Sequence, residues 1–295
     1  MTLREKLAAG RFVVTAEVDP PRGTAIERTL EEVREVAPLV DAVNLSDAPM
    51  ANLRMSPFVI ARLVEEKTGV EAIPHLTARD RNTLALQAEL LGASAIGVKN
   101  VLLLGGDPPE RGDHPFAKPV YEVGAVELIR LAEGLNQGRN WAGGVLEGKT
   151  ALFLGAAANP GARDLAQEAE KTHAKIEAGA RFFQTQPVFS PDEVEAFLKA
   201  LGPVPKGVFF LFGVLPLVSA RMAERVAAWA RVPGALVAAL EKEGAAAGYA
   251  WARRTVAELR AAGMAGVHLF PLGRPGRVAR VLHSASSSGA EQPGS

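Results

Sequence analysis

The chain has 295 residues and an apolar fraction of 48%, with a mean hydropathy of +0.08, so it can bury a large core. Lysine plus arginine balances aspartate plus glutamate at 33 each, which argues against a nucleic-acid surface or a polybasic membrane anchor. Cysteine is absent, removing disulfides, thiolate nucleophiles and Cys-ligated zinc together. The opening MTLREKLAAGRF lacks the apolar core of a signal peptide, and no uncharged run approaches a membrane span. A cytoplasmic protein is the expectation.

Eight short apolar runs alternate with helix-like segments. The first strand is predicted over 12–18, followed by a helix over 24–37 and a second strand over 40–45. The next helix, 57–67, has Pro57 at its first position, Ser56 as candidate cap and Gly69 as its end. Strand three is predicted over 70–74, a helix over 80–91, and strand four within 95–104. Residues 105–118 form a Gly/Pro-rich loop. A helix over 122–134 leads into an excursion over 135–149 that carries Trp141. Strand five covers 151–157, its helix 164–178 ends at Gly179, and strand six starts at 182–185. A helix over 191–200, capped by Ser190, precedes strand seven over 207–214. Helices over 219–230, 233–241 and 244–262 lead to the closing strand at 266–270.

This order predicts an α/β fold, a (β/α)8 TIM barrel, as a single domain over 1–283. The serine-rich stretch 284–295 is predicted to be a disordered tail. The competing architecture is an open doubly wound sheet, disfavoured because no Gly-rich dinucleotide fingerprint follows the first strand.

The sharpest polar residues sit just after the apolar runs, where barrel loops converge. Glu17, in TAEVDPP, is either a partly desolvated general acid or a loop carboxylate pairing with Arg22 or Arg54. Asp107, in LLLGGDPP, either accepts hydrogen bonds from a heterocycle or caps a turn. In PHLTARDRN, Arg79 and Arg81 either meet phosphates or join an ion network with Asp80 and Glu89. Tyr121, Trp141, Phe183 and Phe189 either flank a planar ligand or pack. The five histidines, at 75, 114, 173, 268 and 283, show no ligand spacing, so no metal site is expected. No serine stands in a GxSxG setting.

Taken in order, AEVDPPRG, DAVNLSDAP, PHLTARDRN, LLLGGDPP, AAANPGARD, EAGARFFQTQPVF, GVLPLVSAR and HLFPLGR resemble the methylenetetrahydrofolate reductase family over about 11–283. The likeness is greatest to the reductase portion of bacterial proteins that join a homocysteine methyltransferase to this barrel. Stand-alone reductases carry two aromatics at Val18 and Asp19, Arg at Gly105 and Tyr at Asn159; the residues here agree with the fused type.

The resemblance implies noncovalent FAD, reduced by NADH or NADPH, and ping-pong hydride transfer to 5,10-methylenetetrahydrofolate in one-carbon metabolism leading to methionine. It assigns Glu17 as the catalytic acid at folate N10. Asp107 would serve both pterin and flavin, Gln186 the pterin and Arg274 the folate tail. Flavin contacts are implied at Ser46, His75, Thr77, Arg79, Gly106, Asp107, Tyr121, Asn159, Arg163 and Lys175. Homo-oligomerisation or a partner reductase subunit is compatible with it. The alternatives are a related flavoprotein subunit using another donor or one-carbon carrier, and a non-catalytic flavin-binding scaffold.

Overall fold

Eight parallel strands close into a barrel in chain order, each bonded to its sequence neighbours and β8 to β1. The computed structural model describes residues 1–283; the predicted tail lies outside the described residues. The strands are β1 (Val13–Val18), β2 (Ala42–Leu45), β3 (Glu71–Thr77), β4 (Asn100–Leu104), β5 (Phe153–Ala158), β6 (Phe182–Pro187), β7 (Phe209–Val214) and β8 (Gly266–Leu269). The helices are α1 (Leu3–Ala8), α2 (Glu27–Val36), α3 (Pro57–Thr68), α4 (Thr83–Ala95), α5 (Ala125–Asn136), α6 (Leu165–Ala178), α7 (Pro191–Leu201), α8 (Ala220–Ala227), α9 (Gly234–Glu243), α10 (Ala245–Ala261) and α11 (Gly276–Leu282). Among the described residues, no helix is long and apolar enough to cross a membrane.

Strand periodicity sorts the side chains into two cores. Outward residues such as Val14, Val43, Leu76, Leu103, Leu154, Phe183 and Phe210 pack under the helices. Inward residues of the opposite phase, including Val13, Ile73, Leu102, Phe153, Phe182 and Leu211, fill the lower barrel. Phe182 stacks on Phe153 at a ring separation of 5.0 Å, and its ring occupies the space a Cβ at Gly155 would need. The smallest residue on β5 therefore makes room for the largest on β6.

Two helices escape the sequence reading. Short α1 is held by a capping box of Thr2 and Glu5 and plugs the barrel base with fully buried Leu3 and Leu7. Six residues are too few to display a helical period, so its apolar spacing carries little signal. Helix α11 is similarly short. Strand β3 runs on through Pro74 to Thr77, beyond its predicted end. Pro74 lies opposite Leu45, the last residue of β2, so its missing N–H falls where the neighbouring strand stops. Ser56 makes no side-chain cap, whereas Ser190 accepts from the Glu193 N–H and Gly69 closes α3 at φ 73°.

The base also holds a hollow of about 550 Å³ lined by Glu5, Lys6, Asp41, Glu65, Glu71 and Lys99. Its charges are structural. Lys6 pairs with Asp41 at 2.8 Å, and Glu71 and Glu65 accept the N–H groups of Leu3 and Ala72. In this fold that face serves stability rather than chemistry.

Leu3→Ala should lower the unfolding free energy by about 2–5 kcal/mol, the range for emptying a rigid buried leucine site. Urea titration measures it. A change within error would mean that α1 does not seal the barrel.

Candidate functional site at the barrel mouth

One step above the apolar filling, the inward positions turn polar. Thr15 from β1, Asn44 from β2, His75 from β3, Gln184 from β6 and His268 from β8 are all buried. Asn44 Nδ2 donates to Gln184 Oε1 at 2.6 Å, and Gln184 Nε2 donates back to Asn44 Oδ1 at 2.9 Å. Asn44 Nδ2 also donates to His75 Nε2 at 2.9 Å. On the other side, Gln184 Nε2 donates to Thr15 Oγ1 at 3.0 Å, and Thr15 meets His268 Nδ1 at 2.9 Å. Burial holds His75 down to about 4 and His268 to about 3. Both rings are therefore neutral at physiological pH.

Above this floor opens a cavity of about 240 Å³ lined by Glu17, Ser46, Asp47, Arg79, Asp107, Gln186 and Phe270, among others. Glu17 is half-buried on its wall, and no side-chain hydrogen bond to it is found among the described residues. Loss of water, reinforced by the Asp19 carboxylate, raises its pKa from 4.5 to about 7. Neither proposed arginine neutralises it: Arg54 turns instead to Asp19 at 3.7 Å, which also accepts from Ser46 Oγ at 2.6 Å. Glu17 is left as a carboxyl group able to hold a proton near neutrality.

The surrounding loops are tied down by buried charge. Asp47 accepts from the Thr77 N–H and hydroxyl, both at 2.9 Å, and from Arg81 at 2.8 Å. Arg79 is 2% exposed. It grips Asp80 through Nε at 2.8 Å and Nη2 at 2.7 Å, while Nη1 donates to the carbonyls of Ala48 and Asp107. Ala48, Met50 and Ala51 all have positive φ, at 45°, 51° and 57°, a costly conformation for residues with a Cβ. Gly106, at φ 93°, lies so close to β3 that a Cβ would approach Arg79 Cβ to 2.9 Å.

On β6, pairing slips between Gln184 and Pro187. Thr185 Oγ1 accepts the Gly213 N–H across the irregularity at 2.9 Å. The slip accompanies the exposure of Gln186 at the mouth, where it borders a second hollow of about 630 Å³. That hollow shares Asp107, Ala157 and Gln186 with the first and continues outward to Asn159, Glu168, Lys175 and Trp229. Lys175 donates to the Ala157 carbonyl at 2.7 Å, and desolvation lowers its pKa. The two hollows share a wall and form one groove, polar at its floor and lined at its outer end by both acids and bases, Asp107 with Arg111 at 3.8 Å and Glu168 with Lys175.

A family model described as methylenetetrahydrofolate reductase matches residues 2–286. The chain belongs to this family. Methylenetetrahydrofolate reductase 2 of Schizosaccharomyces pombe is 28% identical over 205 residues, 67% of this chain and 30% of that protein. The 5,10-methylenetetrahydrofolate reductase of Pectobacterium carotovorum subsp. carotovorum is 28% identical over 125 residues, 41% of this chain and 40% of that protein. The matches thus span well under two thirds of either relative's length. Among solved structures, a Clostridium thermocellum protein that binds two copies of 5-methyl-5,6,7,8-tetrahydrofolic acid is similar in fold. It has a TM-score of 0.63 and 13% identity, covering 95% of this chain and 97% of that one.

In this member of the methylenetetrahydrofolate reductase family, Glu17, Ser46, His75, Arg79, Asp107 and Gln186 come together around the inner cavity. Asn159 and Lys175 line the outer one. Thr77 and Gly106 stand behind the wall as packing and loop-fixing groups. Tyr121 is on the rim, its hydroxyl donating to the Gly106 carbonyl at 3.1 Å. Arg163 and Arg274 are exposed and line neither cavity. Arg79 lines the inner cavity while its guanidinium is bonded to Asp80 and two loop carbonyls. The network reading of Arg79 and Arg81 is the one observed, with Asp47 where Glu89 was expected. Phe183 stacks on Phe210 and Phe189 joins a satellite core, so neither flanks a ligand. Phe270, unnoticed in the sequence, lines the cavity and meets His268 edge-on at 4.6 Å.

Burial of Glu17 has a thermodynamic signature. Its pKa is raised in the folded state, so the folded chain binds the extra proton. Stability should therefore fall as pH rises from 4.5 through about 7. Glu17→Gln should remove that loss, giving a gain of about 2–3 kcal/mol at pH 8 and almost none at pH 4. Denaturant melts at the two pH values measure it; a gain equal at both would place the carboxyl in open water.

Proposed function

We propose that this chain catalyses flavin-dependent reduction of 5,10-methylenetetrahydrofolate to 5-methyltetrahydrofolate, with NADH or NADPH as donor, in the cytoplasm. The observation that carries this reading is Glu17: a half-buried acid with a pKa of about 7, sharing one cavity wall with Asp107 and Gln186. Family membership over residues 2–286 supplies the reaction class.

The groove's lining is compatible with FAD. Its inner part has apolar walls of Leu102, Leu104, Ala157 and Phe270 beside the neutral His75 and His268, an environment for a planar heterocycle. Its outer part offers Lys175 and Asn159, a cation and an amide suited to a pyrophosphate and its ribose. FAD would supply hydride transfer, taking hydride from the nicotinamide and giving it to the folate.

The chain's residues would do the rest. Glu17, protonated near neutrality, donates to folate N10 as the five-membered ring opens. Asp107 accepts from the pterin, and its negative charge bears on the electrostatics of the flavin ring. The Gln186 amide offers both a donor and an acceptor to the pterin edge. Arg274, exposed in the loop after β8, would meet the folate tail at the rim.

The purified protein should be yellow and should bleach with NADH or NADPH; colourless protein that takes up no FAD would remove the assignment. Bleaching by neither nucleotide, with reoxidation by the folate, would point to a protein donor. Glu17→Gln should retain flavin and its reduction while the folate half-reaction slows by about 10²–10⁴-fold. In the wild type that half-reaction should decline as pH rises through about 7, since it needs the protonated acid. Stopped-flow absorbance separates the two half-reactions, and equal loss in both would contradict the role of Glu17. Gln186→Leu should raise folate KM without lowering Tm. A lowered Tm with unchanged folate kinetics would make Gln186 a turn residue instead.

A further inference from the structure

The buried amide of Gln184 is not required by the chemistry assigned to Glu17, Asp107 and Gln186, yet every polar atom of it is engaged. An amide enclosed in a barrel is tolerated only when its donors and acceptor are met. Here Gln184 Oε1 accepts from Asn44 Nδ2 at 2.6 Å, and Gln184 Nε2 donates to Asn44 Oδ1 at 2.9 Å and Thr15 Oγ1 at 3.0 Å. The two amides thus form a reciprocal pair linking β6 to β2 inside the barrel. Each has one hydrogen left for a further partner.

Those hydrogens set the polarity of everything they touch. The second hydrogen of Asn44 Nδ2 goes to His75 Nε2 at 2.9 Å. An amide nitrogen only donates, so Nε2 must accept and the His75 proton lies on Nδ1. The second hydrogen of Gln184 Nε2 goes to Thr15 Oγ1, leaving the threonine's own hydrogen to point at His268 Nδ1 at 2.9 Å. That nitrogen accepts, and the His268 proton lies on Nε2. Gln184 Nε2 also lies 3.3 Å from the same Nδ1, a donor that would oppose a proton there. Donation runs outward from the amide pair to both rings.

We propose that Gln184 is a positioning residue that, paired with Asn44, locks one neutral tautomer on each of His75 and His268 so that both rings serve the cavity as N–H donors. The inference rests on the reading of this groove as the reductase site. Both histidines line the cavity with Glu17 and Gln186. Two fixed N–H donors suit the acceptor atoms of a planar heterocycle. Because neither ring gains a charge near neutrality, proton donation is left to Glu17. Glutamate at 184 would have no hydrogens to give to Asn44 or Thr15, and methionine would break both arms while keeping the length.

Long-range 1H–15N spectra of protein labelled at histidine read the tautomers directly, with or without substrate. The wild type should show His75 protonated at Nδ1 and His268 at Nε2. Gln184→Met should mix the tautomers of both rings and lower folate-dependent kcat by about tenfold or more, as expected from loosened ligand positioning. The protein should stay yellow, with folate KM changed less than kcat. Thr15→Val removes only the hydroxyl arm, with Gln184 Nε2 still 3.3 Å from His268 Nδ1, so any change should be confined to His268 while His75 keeps its proton on Nδ1. This second variant decides the matter if Gln184→Met fails to fold. His75 protonated at Nε2 in the wild type, unchanged tautomers in Gln184→Met, or equal disturbance of both rings in Thr15→Val would overturn the proposal. Correct tautomers in a protein inactive on the folate would leave the lock standing and reject the substrate.

Discussion

Closure of eight parallel strands forces every second side chain onto the barrel axis, and the molecule depends on how that axis is filled. The lower levels take Val13, Ile73, Leu102, Phe153, Phe182 and Leu211 with the α1 plug beneath them. The next level is a bonded polar layer, and only above it does the interior open. A polar layer alone would be a poor core, since unmet buried amides and imidazoles are costly. It is tolerable because Asn44 and Gln184 satisfy each other and pass their remaining hydrogens on. The apolar filling supplies rigidity, and the polar layer carries that rigidity to the mouth.

The same geometry separates two kinds of carboxylate. Asp47 and Asp80 each meet a guanidinium group, and Asp47 also accepts the Thr77 N–H, so both are spent on holding loops. Glu17, on the same rim, meets no cation among the described residues and has Asp19 nearby. Its pKa rises because water has been taken away and nothing put in its place. The distinction is one of neighbours, not of residue type. It is also why a chain with equal numbers of acidic and basic residues can place an acid of about neutral pKa at one point of its surface.

Much of this was legible in the sequence. Apolar runs of strand length, separated by helical segments, imply the barrel, and polar residues directly after those runs imply its working rim. Glu17, Asp107 and Gln186 do converge there. The polar floor was also readable, because inward positions recur at every second residue. Stepping back two from Glu17, Ser46 and Gln186 reaches Thr15, Asn44 and Gln184; stepping on two from His268 reaches Phe270. Less legible was Arg79, since nothing local tells whether a guanidinium meets a ligand or three loops. Arg163 and Arg274 lie on loops whose direction is set by tertiary packing, which strand periodicity does not encode.

The loops raise a final constraint. A rim built from separate βα-loops would drift unless something bound them to one another, and here one buried cation reaches three of them, beside the Asp47–Arg81 pair. Arg79 projects from the loop after β3, pairs with Asp80, and donates to carbonyls in the loops after β2 and β4. The Ala48 carbonyl it holds belongs to a stretch in which Ala48, Met50 and Ala51 sit at positive φ. Such a conformation persists only when its surroundings over-determine it. Gly112 completes the restraint from the β4 side, approaching the Ala51 carbonyl so closely that any Cβ would overlap it. The Asp107 carbonyl is held by the same guanidinium, so the position of that carboxylate over the cavity is coupled to the strained β2 loop across the rim. Arg79 thus acts on the site through the backbone it immobilises. A lysine could keep the charge but not the fork of donors that reaches a carboxylate and two carbonyls together.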